Sequence, residues 1–304
     1  MNARPRVVVV GSCNMDIVAS GPHLPEAGQT VLMDQLATVP GGKGANQAIA
    51  VSQAGAASLL VAAVGRDTAG DQILAALVAG GVDTAVVRRV EAPSGTAMVM
   101  VGADGENLIA VVPGANAYLT QLSDEERATI AAAAALLLQL EIPIATVTEA
   151  AEVGRAAGAM VVLNAAPPAE VPAELMAAVD VLVVNQSEAE SLSGNAGPDE
   201  AALRLLESVP QVVVTLGARG ALFASRDAAP LMIHAPQVQA IDATGAGDVF
   251  VGFLAAALAE GRPIADAAQR SCSAASISVE RLGASASIPS HTEMEARLAK
   301  WYGR

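Results

Sequence analysis

Six short apolar runs recur along the chain, at residues 7–10, 59–64, 136–140, 160–163, 181–184 and 212–216. They are near-continuous instead of alternating, which is the pattern of strands buried on both faces. Between several of them lie stretches with helical spacing, at 68–79, 124–134, 143–157 and 200–206. Strand and helix in alternation imply right-handed crossovers, and so a mainly parallel central sheet with helices on both faces. The C-terminal part reads as helices at 247–260, 265–280 and 291–301, the first ended by Gly261 and Pro263. The whole chain, 1–304, is expected to form one such α/β unit.

Two segments break this pattern. Residues 96–101 and 106–112 flank Gly102-Ala-Asp-Gly105, in which Asp104-Gly105 is a hairpin turn signal. Residues 29–39 offer a further extended stretch just before a glycine-rich loop. Strands at about 14–20, 29–39 and 95–112 are expected to build a small antiparallel β lid apart from the main sheet. Its apolar faces need cover from substrate, from the main body or from a second copy of the chain. A lid that doubles as a homodimer contact is the expectation.

Several apolar runs end on polar residues. The first leads to Gly11, Ser12 and Asn14, the third to Glu141, the fourth to Asn164 and the fifth to Asn185. In open α/β sheets, ligands bind beyond the carboxyl ends of the strands. The same residue types also serve as ordinary helix caps and turn residues.

Composition narrows the partners. The net charge of −14 argues against nucleic acid or an anionic membrane, both of which demand basic patches. Cys13 and Cys272 are too few and too distant for a disulfide framework or a zinc cluster. The opening run is too short for a secretory signal, and residues 130–138 fall short of a membrane span. A cytoplasmic protein is expected. The 2% aromatic content disfavours stacking on a base.

The sharpest chemical signal is Asp242-Ala-Thr-Gly-Ala-Gly-Asp248, followed directly by an apolar helical run. Glycines let the backbone turn tightly, and the helix start aims free N–H groups and a positive dipole end outward. That is an anion hole suited to phosphate, with Asp248 at its lip to take a proton from an attacking hydroxyl. A glycine-rich turn with an aspartate at a helix start accounts for the same residues without chemistry. The second signal, Gly41-Gly42-Lys43-Gly44-Ala45-Asn46-Gln47, lacks the spacing of a Walker A loop. Its glycines admit a ligand close to the backbone, and Asn46 offers donor and acceptor to a diol. No Gly-x-Gly-x-x-Gly fingerprint follows the first strand, against a dinucleotide oxidoreductase.

Together with Gly11-Ser-Cys-Asn14-Met-Asp16, Asn185-Gln-Ser-Glu188-Ala-Glu190 and Thr215-Leu-Gly-Ala-Arg-Gly220, these segments resemble the ordered signature set of the ribokinase (PfkB) superfamily. The resemblance spans essentially the whole chain, and Gln139-Leu-Glu141 is similar to the ribokinase branch. It implies a ribokinase-like fold and transfer of the γ-phosphate of ATP to a sugar, with the 5-hydroxyl of D-ribose first. Another pentose, 2-deoxyribose, a ketohexose, a keto-deoxy sugar acid or a nucleoside stay open, as does a non-catalytic sensor of sugar or nucleotide.

The resemblance also assigns residues. Asn14, Asp16, Gly41, Gly42, Lys43, Asn46 and Glu141 are implied as the sugar set, and Asp248 as base with Gly245, Ala246 and Gly247 as anion hole. Asn185, Thr215, Gly217, Gly220, Gly247 and Cys272 are implied on the nucleotide side, with Glu188 acting on Mg²⁺ through water. An activating K⁺ is implied beside the anion hole, at Asp242, Thr244, Ser278, Arg281, Gly283 and Ser287, largely through backbone carbonyls. The chain departs from the pattern at Asn164-Ala-Ala-Pro-Pro and at Cys272, where relatives often place Asn or His.

Overall fold

The computed structural model describes residues 4–103, 107–194 and 197–303. From the N-terminus, β1 (Arg6–Val10) leads into β2 (Asn14–Gly21), then β3 (Gln35–Gly41), α1 (Lys43–Gln53), β4 (Ala57–Val61), β5 (Ala63–Gly65) and α2 (Thr68–Ala79). Next come β6 (Arg88–Val90), β7 (Gly95–Gly102), β8 (Asn107–Val112), α3 (Asp124–Ala131), β9 (Ala135–Leu138) and α4 (Ile144–Ala156). The chain continues through β10 (Met160–Asn164), α5 (Ala173–Ala178), β11 (Val181–Asn185), α6 (Gln186–Ser193), α7 (Pro198–Leu205) and β12 (Gln211–Thr215). It closes with β13 (Ala221–Ser225), β14 (Ala228–Ile233), α8 (Ala246–Ala259), α9 (Ile264–Ser278) and α10 (His291–Tyr302).

The central sheet has the order β14-β13-β12-β11-β10-β9-β1-β4. Every pair from β4 to β12 is parallel, and β13 and β14 add an antiparallel edge. Continuous apolar runs have a direct structural meaning here. Along β1, Val7 and Val9 pack into one core with α1, α8 and α9, while Val8 and Val10 pack into a second with α4, α5 and α7. Successive strand side chains point to opposite faces, so a strand covered on both sides has no room for polar alternation.

The lid is a four-stranded sheet in the order β3-β2-β7-β8. Its outer pairs are antiparallel, and its central pair β2–β7 runs parallel because both strands leave the main body in the same direction. Two expected boundaries shift. The stretch expected at 29–39 pairs only from Gln35, since β2 supplies partners no further than Gly21. The run at 59–64 is divided: β4 stays beside β1, whereas β5 turns away to pair with β6. The Asp104-Gly105 turn lies outside the described residues. The β13–β14 hairpin is an element the apolar pattern does not announce; no glycine marks its turn at Arg226 and Asp227.

Candidate active site

The carboxyl edge of the sheet gathers the predicted residues. The central contact is between α1 and α8. Gly252, one turn beyond Asp248, lies so close to α1 that a methyl group there would stand 2.5 Å from the Ala50 Cβ and 2.9 Å from the Gln47 carbonyl. This approach brings the first turn of α8 against the first turn of α1. Asp248 is 7% exposed, and both its oxygens accept amide hydrogens: Oδ2 from Asn46 Nδ2 at 3.1 Å and Oδ1 from Gln47 Nε2 at 2.9 Å. Gly245 caps α8 at φ 75°, a conformation that favours glycine, and packs on Ala284. Ala246 N–H closes the turn onto Ala243 O at 3.2 Å, so the open donors for an anion are those that follow it in the first helical turn. Beside Gly247, the position a Cβ would take is open space.

The residues implied for sugar binding converge from four elements. Asp16 projects from β2 over Gly41, where a Cβ would meet its Oδ2 at 2.1 Å. Burial, reinforced by Glu141 and Asp248, pushes the Asp16 carboxyl up to about 6. Its Oδ1 and the Asn46 Oδ1 are buried without a protein partner, two acceptors awaiting donors from a ligand. Asn14, 2% exposed, turns its Oδ1 to Asn116 Nδ2 at 2.8 Å. The Asn116 amide is itself fixed by the Cys13 backbone, accepting from its N–H at 2.9 Å and donating to its carbonyl at 3.1 Å. Glu141 accepts from the Ser12 hydroxyl and from the Lys43 backbone N–H, which ties it to the start of α1 behind Gly42.

A cavity of about 140 Å³ opens beside Asp248, lined by Lys43, Asn164, Asn185, Glu188, Thr215, Gly245 and Gly247 among others. Lys43 is half-buried here, not turned to solvent. Burial pulls its ammonium downward, but the field of Asp248, Glu141 and Glu188 outweighs that and holds it charged. Asn185 and Glu188 form a reciprocal cap at the start of α6: each backbone N–H donates to the other's side chain at 2.8 Å. Burial raises the Glu188 carboxyl, against the opposing pull of the Asn185 N–H and Lys43.

Gly217 and Gly220 shape the turn after β12 and do not line this cavity. Cys272, 3% exposed, packs in the core and is not among the residues that line this cavity. Burial pushes both thiols, Cys13 and Cys272, up to about 12, so neither serves as a nucleophile at neutral pH.

The two halves implied for a monovalent cation do meet. Asp242 accepts from Thr244 N–H at 2.9 Å through Oδ1 and from Gly283 N–H at 2.8 Å through Oδ2, joining the two loops. Burial works to raise this carboxyl, but the bonds from Thr244 and Gly283 prevail and lower it. Ser278 and Ser287 spend their hydroxyls on the Ala275 and Ala284 carbonyls, and Arg281 pairs with Glu293. Side chains at those three positions are therefore turned to structural partners.

Residues to which no motif assigns a role also stand in the site. Gln47 and Gln139 are both fully buried behind Asp248, and Asn116 and Ser12 hold Asn14 and Glu141 in place. The spacing of Asn185 and Glu188 is a legible capping signal for α6; Gln47 and Gln139 stand inside quoted motifs without a role assigned to them, and nothing local marks Asn116.

Comparison with known proteins agrees with this arrangement. Residues 4–291 match the pfkB family carbohydrate kinase pattern. The chain is 36% identical over 298 residues to a ribokinase of Haemophilus influenzae, covering 95% of this chain and 97% of that one. It is 37% identical over 300 residues to a ribokinase of Bacillus subtilis, covering 96% and 99%. Among solved structures, Arabidopsis thaliana ribokinase complexed with ribose and ATP superposes with a TM-score of 0.90 at 33% identity, covering 97% of this chain and 99% of that one. The chain therefore belongs to the pfkB family of carbohydrate kinases.

Proposed function

We propose that this chain transfers the γ-phosphate of ATP to the 5-hydroxyl of D-ribose, with Asp248 as general base. The carrying observation is Asp248 itself, a buried carboxylate at the start of a helix that opens onto the cavity, with its two oxygens held by amides. Similarity to ribokinases over nearly the whole chain supports ribose as the acceptor.

In this reading Asp16, Asn14, Asn46 and Glu141 bind the ring hydroxyls, the unpaired Asp16 and Asn46 oxygens accepting from them. Asp248 takes the proton of the attacking hydroxyl. Open amides at the first turn of α8 receive the phosphoryl oxygens as charge builds on them, and Lys43 opposes that charge from across the cavity. The lid covers the sugar and excludes water, which guards ATP against hydrolysis.

Mg²⁺ would be held by Glu188 and Asn185 largely through water, and supplies charge neutralisation on the phosphates. Both residues line the cavity beside Lys43, and a single carboxylate with an amide suits an ion that keeps several waters and relies on substrate phosphate. K⁺ would be held by the loops that Asp242 joins, chiefly through backbone carbonyls near Gly283, and supplies fixed positive charge near the anion hole.

The lid supports a homodimer. On its face turned away from Asp16, Ile17, Leu36, Met98, Leu108 and Val112 are all exposed, Leu36 to 73%. A contiguous apolar sheet face of this kind needs cover. Strict monomers in light scattering at all concentrations would count against it. Among the described residues no helix is long and apolar enough to cross a membrane.

The experiment for the function is a coupled ADP-release assay across ribose, 2-deoxyribose, ketohexoses, keto-deoxy sugar acids and nucleosides. Ribose is expected to give the highest kcat/KM. Absence of turnover on every sugar would leave a binding protein and end the kinase reading.

A further inference from the structure

We propose that Gln47, oriented by Gln139, is the positioning residue that holds the Asp248 carboxylate in its reactive rotation and keeps it ready to accept a proton. Gln47 and Gln139 are each 0% exposed. Their hydrogen bonds run in one direction. Asp248 as a carboxylate only accepts, so the Gln47 group facing its Oδ1 at 2.9 Å must be the Nε2 amide. The same Nε2 donates its second hydrogen to Asn164 Oδ1 at 3.0 Å. Asn164 can only accept there, because its own Nδ2 is turned to the Val183 carbonyl at 3.3 Å. Gln47 Oε1 is then the acceptor for Gln139 Nε2 at 2.7 Å. Flipping any one of these amides would set donor against donor or acceptor against acceptor.

This arrangement does two things. It fixes the rotation of the carboxylate, since Oδ1 is held by Gln47 while Oδ2 is held by Asn46 at 3.1 Å. The remaining lone pairs of Asp248 are left for a ligand in the cavity that its side chain lines. It also aims an N–H donor at each oxygen of the base, so the carboxylate meets hydrogens on the side turned to the protein. Gln139 acts one step further back. Its Nε2 holds Gln47, and its own Oε1 is buried without a partner. A tolerated orphan acceptor at this depth indicates that the orientation of Gln139 is set by the bond to Gln47.

The inference rests on the kinase reading, and wild-type turnover on ribose is measured first so that the two fail separately. Gln47→Leu is expected to lower kcat by about 10–100-fold with little change in the KM for ribose, as misplacement of a reacting group does. The acid limb of its kcat/KM profile should move to higher pH, a change that loss of packing alone does not produce. Gln139→Leu should lower kcat less, and adding it to Gln47→Leu should cost nothing more, because both act through the same bond. Gln47→Glu provides the case in which Gln47→Leu does not fold: it preserves shape and the acceptor for Gln139 but places an acid beside Asp248. A new titration in its pH profile is expected. A folded Gln47→Leu or Gln47→Glu with wild-type kcat and an unmoved acid limb overturns the proposal. Additive losses in the double variant overturn the part given to Gln139.

Discussion

Replacing Asp248 with asparagine tests the assigned chemistry with the least disturbance of shape. Asparagine retains one acceptor oxygen and converts the other to an NH₂ group. Asn46 Nδ2 and Gln47 Nε2 now each point at a different Asp248 oxygen, so one of them must face a donor after the change. One buried donor left unsatisfied costs about 1–3 kcal/mol, which should appear as a melting point lowered by a few degrees. The rate effect is separable from that loss and larger. Asparagine has no lone pair of comparable basicity, and loss of a general base is expected to lower kcat by ~10²–10⁴. Ribose affinity, measured by calorimetry without ATP, should stay largely intact because Asp16, Asn14 and Glu141 are untouched. The assay is ADP release coupled to NADH oxidation at saturating ribose and ATP, on enzyme verified as folded. A kcat within tenfold of wild type would refute the base assignment, whatever the stability.

Asp16 is expected to link sugar binding, stability and pH. Its carboxyl sits near 6 in the folded chain against an ordinary 3.8, so between those values the folded state holds a proton that the unfolded state has released. Stability from this group is therefore lost as pH rises through that window, and Asp16→Asn should raise the melting point at pH 7.5 while raising the KM for ribose; an unchanged melting point and KM would refute this. Gly41→Ala places a methyl 2.1 Å from the Asp16 Oδ2 and should weaken ribose binding by more than about tenfold with the fold retained, as tested by calorimetry and circular dichroism. Added K⁺ should raise turnover, and Asp242→Ala, which unties Thr244 from Gly283, should abolish that response; equal rates with and without K⁺ in the wild type would defeat it. Leu108→Glu together with Val112→Glu should shift the chain to monomer in light scattering, since both are exposed on the lid face turned from Asp16.

The central sheet was legible because its strands are covered twice. Residues 7–10 and 136–138 are fully buried in the folded chain, and a strand under that constraint has to be written as an unbroken apolar run. The lid was legible for a different reason, through a turn signal and extended runs outside the α/β alternation. Its pairing was not, because whether two strands run parallel depends on where each leaves the main body, which no local pattern encodes. Helix α6 lay between these cases: its cap is written in the spacing of Asn185 and Glu188, yet that spacing drew attention as chemistry before structure. The cap is formed, and the proposed chemical role is compatible with it, because a capping glutamate at a strand's carboxyl edge is delivered to the cavity by the same bond that starts the helix.

The site divides along the same line. Asp16, Asn46 and Asp248 stand out in sequence because they sit in glycine-bearing segments, and glycine is needed wherever backbone or carboxylate approaches closely. Gln47 closes one of those segments, but nothing in it assigns the residue a role. It is one residue beyond Asn46 in a helix, and its importance arises only when Gly252, some two hundred positions later, lets α8 close on α1. Gln139 is more remote still, just past β9, in a segment whose resemblance points to Glu141 and gives the amide itself no role. Polar networks of this kind have no period and no fixed spacing, so they emerge only from packing. That is also why they matter mechanistically: each member is oriented by the next, and a base held by such a chain inherits the rigidity of the helices and strands that carry it.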